Sequence, residues 1–196
     1  AYVSVLASDY TDGLALQAIQ MVFKYLPRAV NNGKNDLEAR EKMHNASTIA
    51  GMAFANAFLG MNHSLAHNVG GVFHTPHGRA NAILLPHVIR YNGEVPNKLS
   101  VWPKYNYYVA DEKYQNVSRL LGLKADTKEE GVESLAKAVM ELGKAVGIKM
   151  NFCDQGIEED DWNAKLKEIA YGAYEDQCSP ANPRVPLVDD MVEILK

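Results

Sequence analysis

Apolar side chains recur at three- and four-residue steps along most of this chain, and no stretch alternates convincingly between apolar and polar. That period gathers apolar residues on one face of a helix, whereas a half-buried strand needs a period of two. The pattern predicts an all-α fold, a multi-helix bundle of about seven helices around one core. Residues 11–26 carry Leu14, Ala18, Met21, Val22 and Tyr25 at helical spacing, with Pro27 just past the expected end. Asp36 is placed to cap a long helix reaching about Leu59, with Ala46, Ala50, Ala53 and Ala57 on one face. That helix is expected to be central and buried over its second half. Residues 63–69 predict a short helix stopped by Gly70-Gly71. Thr75-Pro76 then forces a turn, since a residue before proline is pushed out of the α region. His77 opens a helix to about Tyr91, with Pro86 as an expected kink or restart. Asp111 is expected to cap a helix ending near Gly122. Thr127-Lys-Glu-Glu130 reads as a capping box opening a helix to about Gly147. Residues 158–174 and those from about Leu187 repeat the helical pattern.

Between these, residues 92–110 form a long loop rich in aromatics, with Trp102, Tyr105, Tyr107 and Tyr108 beside Pro96 and Pro103. A loop of that length suits docking on a partner or a neighbouring domain, or stapling to its own surface. The chain starts at Ala1 directly in apolar sequence and stops at Lys196 without a cap, which reads as a piece of something longer.

Composition narrows the function. With 47% hydrophobic and 22% charged residues over 196 positions, the chain has the make-up of a soluble globular protein. A formal net charge of −4 leaves no basic footprint for nucleic acid. No apolar run approaches the roughly 20 residues that span a bilayer. Cys153 and Cys178 are far apart, which favours reduced thiols and a cytoplasmic setting.

The chemistry points to residues 63–77. His63, His67, His74 and His77 all fall there, four of the six histidines in the chain. Neutral imidazole is both the commonest metal ligand and a general acid/base near neutral pH. His63 and His67 are one helical turn apart, about 6 Å at Cβ. They could be two ligands of one metal, or one ligand beside one acid/base group. His77, after the turn, can fold back to the same point, and three imidazoles suit zinc or ferrous iron. His44 and His87 read as structural, and His74 is a weaker candidate. No acidic residue lies inside the cluster; Asp12, Asp36 and Asp154 are available elsewhere, but nothing in their spacing recruits them.

The run His63-x-x-x-His67, Thr75-Pro76-His77-Gly78, Ala80-Asn81-Ala82-Ile83-Leu84-Leu85-Pro86 and Arg90-Tyr91-Asn92 resembles the iron-dependent (group III) alcohol dehydrogenases. Ala1-Tyr2-Val3-Ser4, the stretch 53–60, Gln177-Cys178 and Ala181-Asn182-Pro183-Arg184 narrow the likeness. They are similar to the alcohol dehydrogenase half of the bifunctional aldehyde-alcohol dehydrogenases. The likeness implies an all-helical C-terminal metal domain over residues 1–196, without the upstream nucleotide-binding domain. It implies Fe2+, or Zn2+ in its place, held by His63 and His77 together with an aspartate and a histidine upstream of Ala1. It implies His67 as a proton-relay group near coenzyme and substrate, and Gly70 and Gly71 as a close approach for NAD. The implied reaction interconverts short-chain aldehydes and alcohols, such as acetaldehyde and ethanol. The implied full-length protein is a homo-oligomer or filament, and the isolated chain is expected to be inactive. Two other classes stay open: a non-catalytic helical assembly or interaction domain, and a helical metallohydrolase, which would need an acidic ligand within the chain.

Overall fold

A computed structural model describes residues 1–96 and 108–196. Among the described residues there are eight α-helices and no strand. They are α1 (Asp9–Asn32), α2 (Leu37–Ala57), α3 (Met61–Phe73), α4 (His77–Gly93), α5 (Ala110–Leu120), α6 (Lys128–Ala145), α7 (Glu159–Glu175) and α8 (Val188–Leu195). Short 3₁₀ turns occupy Cys153–Gln155 and Ser179–Ala181. The expected all-α architecture is therefore found. Trp102, Pro103, Tyr105 and Tyr107 of the aromatic loop lie outside the described residues.

The core that carries the site joins α3, α4, α7 and α8. Met61, Leu65 and Val69 from α3 meet Ile83, Leu84 and Val88 from α4, Trp162, Leu166 and Ile169 from α7, and Met191 and Leu195 from α8. Trp162 stacks on Phe152 at 4.6 Å, and its indole N–H donates to the Leu195 carbonyl at 3.0 Å. A second cluster packs α5 on α6 and on Ile89 of α4. The third belongs to the α1–α2 hairpin alone, through Met21, Tyr25, Ala39 and Ala46.

Four local expectations fail, each for a physical reason. Helix α1 does not stop at Pro27 but continues through it to Asn32. Proline removes one helical hydrogen bond, and packing of both flanks against α2 holds the turn. Helix α2 is not central: Asp36 caps it as expected, accepting from Ala39 N at 3.0 Å. Its second half, however, buries only alanines and leaves Met52, Phe54 and Phe58 exposed. Gly70-Gly71 does not end α3, which runs on to Phe73. The stop is His74, in the left-handed region at φ 55°, which non-glycine residues adopt infrequently and histidine more readily than most. Asp111 is not a cap but a buried first-turn residue of α5, ion-paired with Lys128 at 3.2 Å. Pro86 lies inside an unbroken α4.

Candidate metal and proton-transfer site

The site is assembled from the start of α3, the start of α4 and the end of α7. Gly60, before α3, has no side chain to cap the helix. The cap comes from 121 residues away: Asn182 Oδ1 accepts from Met61 N at 3.2 Å. A Cβ at position 60 would sit 2.9 Å from that oxygen, so the close approach requires glycine. Asn182 is itself locked, donating to Asn92 Oδ1 at 2.7 Å and to the Arg184 carbonyl at 2.6 Å.

From that fixed start, His63 and His67 stand one turn apart, their ring centroids 6.1 Å from each other. The His74–Pro76 turn reverses the chain and delivers His77 as the first residue of α4. Its ring lies 5.3 Å from both His63 and His67, and within 19° of parallel to the latter. Three of the four clustered histidines therefore meet in space. His74 is exposed and ends the helix instead; His44 and His87 are exposed on α2 and α4.

The three rings differ in surroundings. His63 is partly buried, and its pKa is pushed down to about 4, first by burial and then by the neighbouring His77 and His67 rings. It is thus neutral at pH 7, the form that offers a lone pair. His77 accepts from Asn81 Nδ2 at 3.1 Å, and Asn81 Oδ1 in turn accepts from Asn62 at 2.7 Å. Asn62 Oδ1 is buried without a hydrogen-bond partner among the described residues. The Asn62 residue borders a cavity of about 460 Å³ that His63 and His77 also line. The neutral His63 ring, the His77 ring, which would exchange its Asn81 contact for a ligand bond, and the amide of Asn62 around one cavity fit a borderline cation with mixed N and O ligands.

His67 has a different hydrogen-bond partner. Its Nδ1 lies 2.9 Å from Asp176 Oδ2, at the end of α7. Asp176 Oδ1 accepts from Cys178 N at 2.8 Å and from the Ser64 hydroxyl at 3.2 Å. Burial works against this carboxylate, but the hydrogen bonds from Cys178 N and His67 outweigh it and hold its pKa below the ordinary value. Sequence reasoning missed Asp176, naming Asp12, Asp36 and Asp154 instead. Its proximity arises from α3–α7 packing, and the only nearby signal was the Gln177-Cys178 stretch. Ligand atoms of His67, Asp176 and Cys178 all lie within 4.8 Å of one another. Both carboxylate oxygens are already engaged, and burial pushes the Cys178 thiol up to about 11. We therefore read this group as an orienting network rather than a ligand set.

Gly71 lies two turns along the face that carries His63 and His67. A Cβ there would meet nothing within 4 Å, so α3 presents bare backbone beside His67; at Gly70 a Cβ would approach the Thr75 carbonyl at 3.2 Å.

The fold is that of the all-helical part of iron-containing alcohol dehydrogenases. A solved 1,3-propanediol oxidoreductase superposes with TM-score 0.85 at 34% identity, over 99% of this chain and 46% of that one. An alcohol dehydrogenase from Oenococcus oeni gives the same values. The chain belongs to the Fe-containing alcohol dehydrogenase family, whose C-terminal family model matches residues 1–196. The aldehyde-alcohol dehydrogenase of Streptococcus pneumoniae serotype 2 is 67% identical over all 196 residues, which make up 22% of that protein. The bifunctional aldehyde-alcohol dehydrogenase AdhE of Escherichia coli K12 is 43% identical over 198 residues. The chain thus spans about a fifth of the length of these curated relatives. Among the described residues no helix is long and apolar enough to cross a membrane.

Proposed function

We propose that this chain is the metal- and substrate-side domain of an NAD-linked, iron-dependent alcohol dehydrogenase acting on short-chain aldehydes and alcohols such as acetaldehyde and ethanol. The observation that carries the reading is the convergence of His63, His67 and His77 from two helices onto one point. His63 and His77 would hold Fe2+, or Zn2+ in its place, with the remaining ligands supplied by an upstream nucleotide-binding domain. When bound, such an ion supplies Lewis acidity that lowers the pKa of an alcohol. The chain's own residues do the rest. His63 stays neutral, ready to donate its lone pair. The Asn62–Asn81 pair steadies the His77 ring. His67 takes the alcohol proton and releases it to water, being 37% exposed. The bare backbone at Gly71, with Gly70 beside it, gives the nicotinamide coenzyme room next to His67. Bound there, NAD would supply the hydride-transfer chemistry. A cytoplasmic location and a homo-oligomeric full-length protein go with this reading, and the isolated chain is inactive for want of the nucleotide domain.

The test is a chimera in which this chain replaces the matching 196 residues of the Streptococcus pneumoniae aldehyde-alcohol dehydrogenase. The expected result is NADH-dependent acetaldehyde reduction with bound iron or zinc. His63→Ala/His77→Ala should abolish both. A folded chimera that reduces no aldehyde, or a double variant that keeps full metal and activity, would overturn the reading.

A further inference from the structure

An acid/base histidine works only if the right nitrogen carries the lone pair, and a hydrogen bond to the other nitrogen decides which that is. Asp176 is placed to make that decision. Its Oδ1 takes two donors, Cys178 N at 2.8 Å and the Ser64 hydroxyl at 3.2 Å, so the carboxylate cannot rotate without breaking both. Ser64 is fully buried one turn before Asn68 on the same helix as His67, and its oxygen lies 3.0 Å from that of the buried Ser179. The carboxylate is thereby tied to α3 and to the Ser179–Ala181 turn. Its remaining oxygen, Oδ2, points at His67 Nδ1 at 2.9 Å. An ionised carboxylate can only accept, so Nδ1 must donate.

We infer that Asp176 is a positioning residue that holds His67 as the Nδ1–H tautomer, reserving Nε2 as the proton acceptor. This rests on the proton-relay reading of His67 given above. In the alcohol-oxidising direction the substrate O–H bond breaks and its proton forms a new N–H bond at Nε2. The hydride leaves the carbinol carbon for the nicotinamide coenzyme. The imidazolium so formed faces the Asp176 carboxylate, which offsets its charge, and Nε2 then returns the proton to water. Asp176 itself stays ionised throughout.

Substitution by asparagine gives a sharp outcome. Cys178 N and Ser64 still demand an acceptor at the Oδ1 position, so the amide oxygen takes that place and the amide nitrogen replaces Oδ2. That nitrogen donates, and it forces His67 into the opposite tautomer. The measurement is a long-range 1H–15N correlation spectrum of histidine-labelled chain at pH 8, which separates pyrrole-type from pyridine-type nitrogens. Wild-type His67 should show a pyrrole-type Nδ1 and a pyridine-type Nε2. Asp176→Asn should exchange them, while Ser64→Ala, which removes only one anchor, should leave them as in wild type. Wild-type His67 protonated on Nε2, or a folded Asp176→Asn with an unchanged spectrum, would overturn the inference. Should Asp176→Asn fail to fold, the wild-type spectrum decides alone.

The spectrum needs no metal, coenzyme or substrate, so it separates this inference from the proposed function. In an active chimera Asp176→Asn should also lower kcat by roughly 100-fold or more with little change in KM; an unchanged kcat would remove the positioning role in the reaction. An inactive wild-type chimera beside the expected spectra would overturn the dehydrogenase reading and leave the tautomer assignment standing.

Discussion

Single side chains in this protein act mainly through what they anchor. Cys178 illustrates the protective side of that arrangement. It is 2% exposed, and burial first, then the neighbouring Asp176 carboxylate, raises its pKa from 9 to about 11. At pH 8 the reactive thiolate is therefore about 100-fold scarcer than for an ordinary thiol. Timed alkylation followed by mass spectrometry should modify the partly exposed Cys153 first, with Cys178 following only on unfolding; equal rates in the folded chain would contradict this. Asn182 illustrates the cost of losing an anchor. It satisfies Met61 N, Asn92 and the Arg184 carbonyl at once from a position 1% exposed. Asn182→Ala strands several buried polar groups and should cost ~2–4 kcal/mol in urea unfolding. Neither role could be seen in the sequence, where Asn182 is one asparagine in a proline-rich stretch. The imidazole cluster was legible because three of its members sit within fifteen residues, two on one helical face. Asp176 was not, because its partner lies 109 residues away.

Helix types and most boundaries followed from local chemistry, and the failures mark where packing overrides it. The Thr127 cap forms, accepting from Glu130 N at 3.2 Å, but the expected capping box does not close, because the Glu130 carboxylate accepts from Asp126 N at 2.9 Å instead of from Thr127 N. Gly122 and Gly147 end their helices at φ +72° and +81°. A glycine pair in α3 and a proline in α1 look like breaks but are not, since neighbouring helices supply what the local chain lacks. The same contrast between local propensity and packing can be measured at two other glycines. In α2, a Cβ on Gly51 would meet nothing within 4 Å, so Gly51→Ala should stabilise the chain by ~0.5–1 kcal/mol through helix propensity. In α6, a Cβ on Gly131 would lie 2.7 Å from Gln115 Cα, where α5 crosses. Backbone cannot yield as a side-chain tip can, so Gly131→Ala should destabilise by ~1–3 kcal/mol despite the same propensity gain. Thermal or urea unfolding of the pair should give opposite signs; like signs would mean the α5–α6 contact is looser than its geometry.

Across the whole chain, cohesion is uneven, and the site lies in its strongest part. The α3, α4, α7 and α8 core buries large side chains on every helix: Met61, Leu65, Leu84, Ile169 and Met191 are each no more than 2% exposed. The α1–α2 hairpin buries mainly alanines besides Met21 and Tyr25, and α2 leaves Met52, Phe54 and Phe58 in solvent. It joins the rest through Leu16, Ile19 and Phe23 against the α5–α6 cluster. Polar ties in the first residues reinforce this joint. The Ser4 hydroxyl donates to the Ala57 carbonyl at 2.5 Å, Val5 N to the Ala181 carbonyl at 3.1 Å, and Lys113 pairs with Asp12 at 2.7 Å. Hydrophobic stabilisation scales with apolar area removed from water, so the hairpin should open at lower free energy than the site-bearing core. Native-state hydrogen exchange should show amides of α1 and α2 exchanging as one group, ahead of those in α3, α4 and α7. Ser4→Ala should speed the hairpin amides without moving the slowest core amides. Exchange of all five helices at one common rate would instead mean that the hairpin and the histidine site unfold as a single unit.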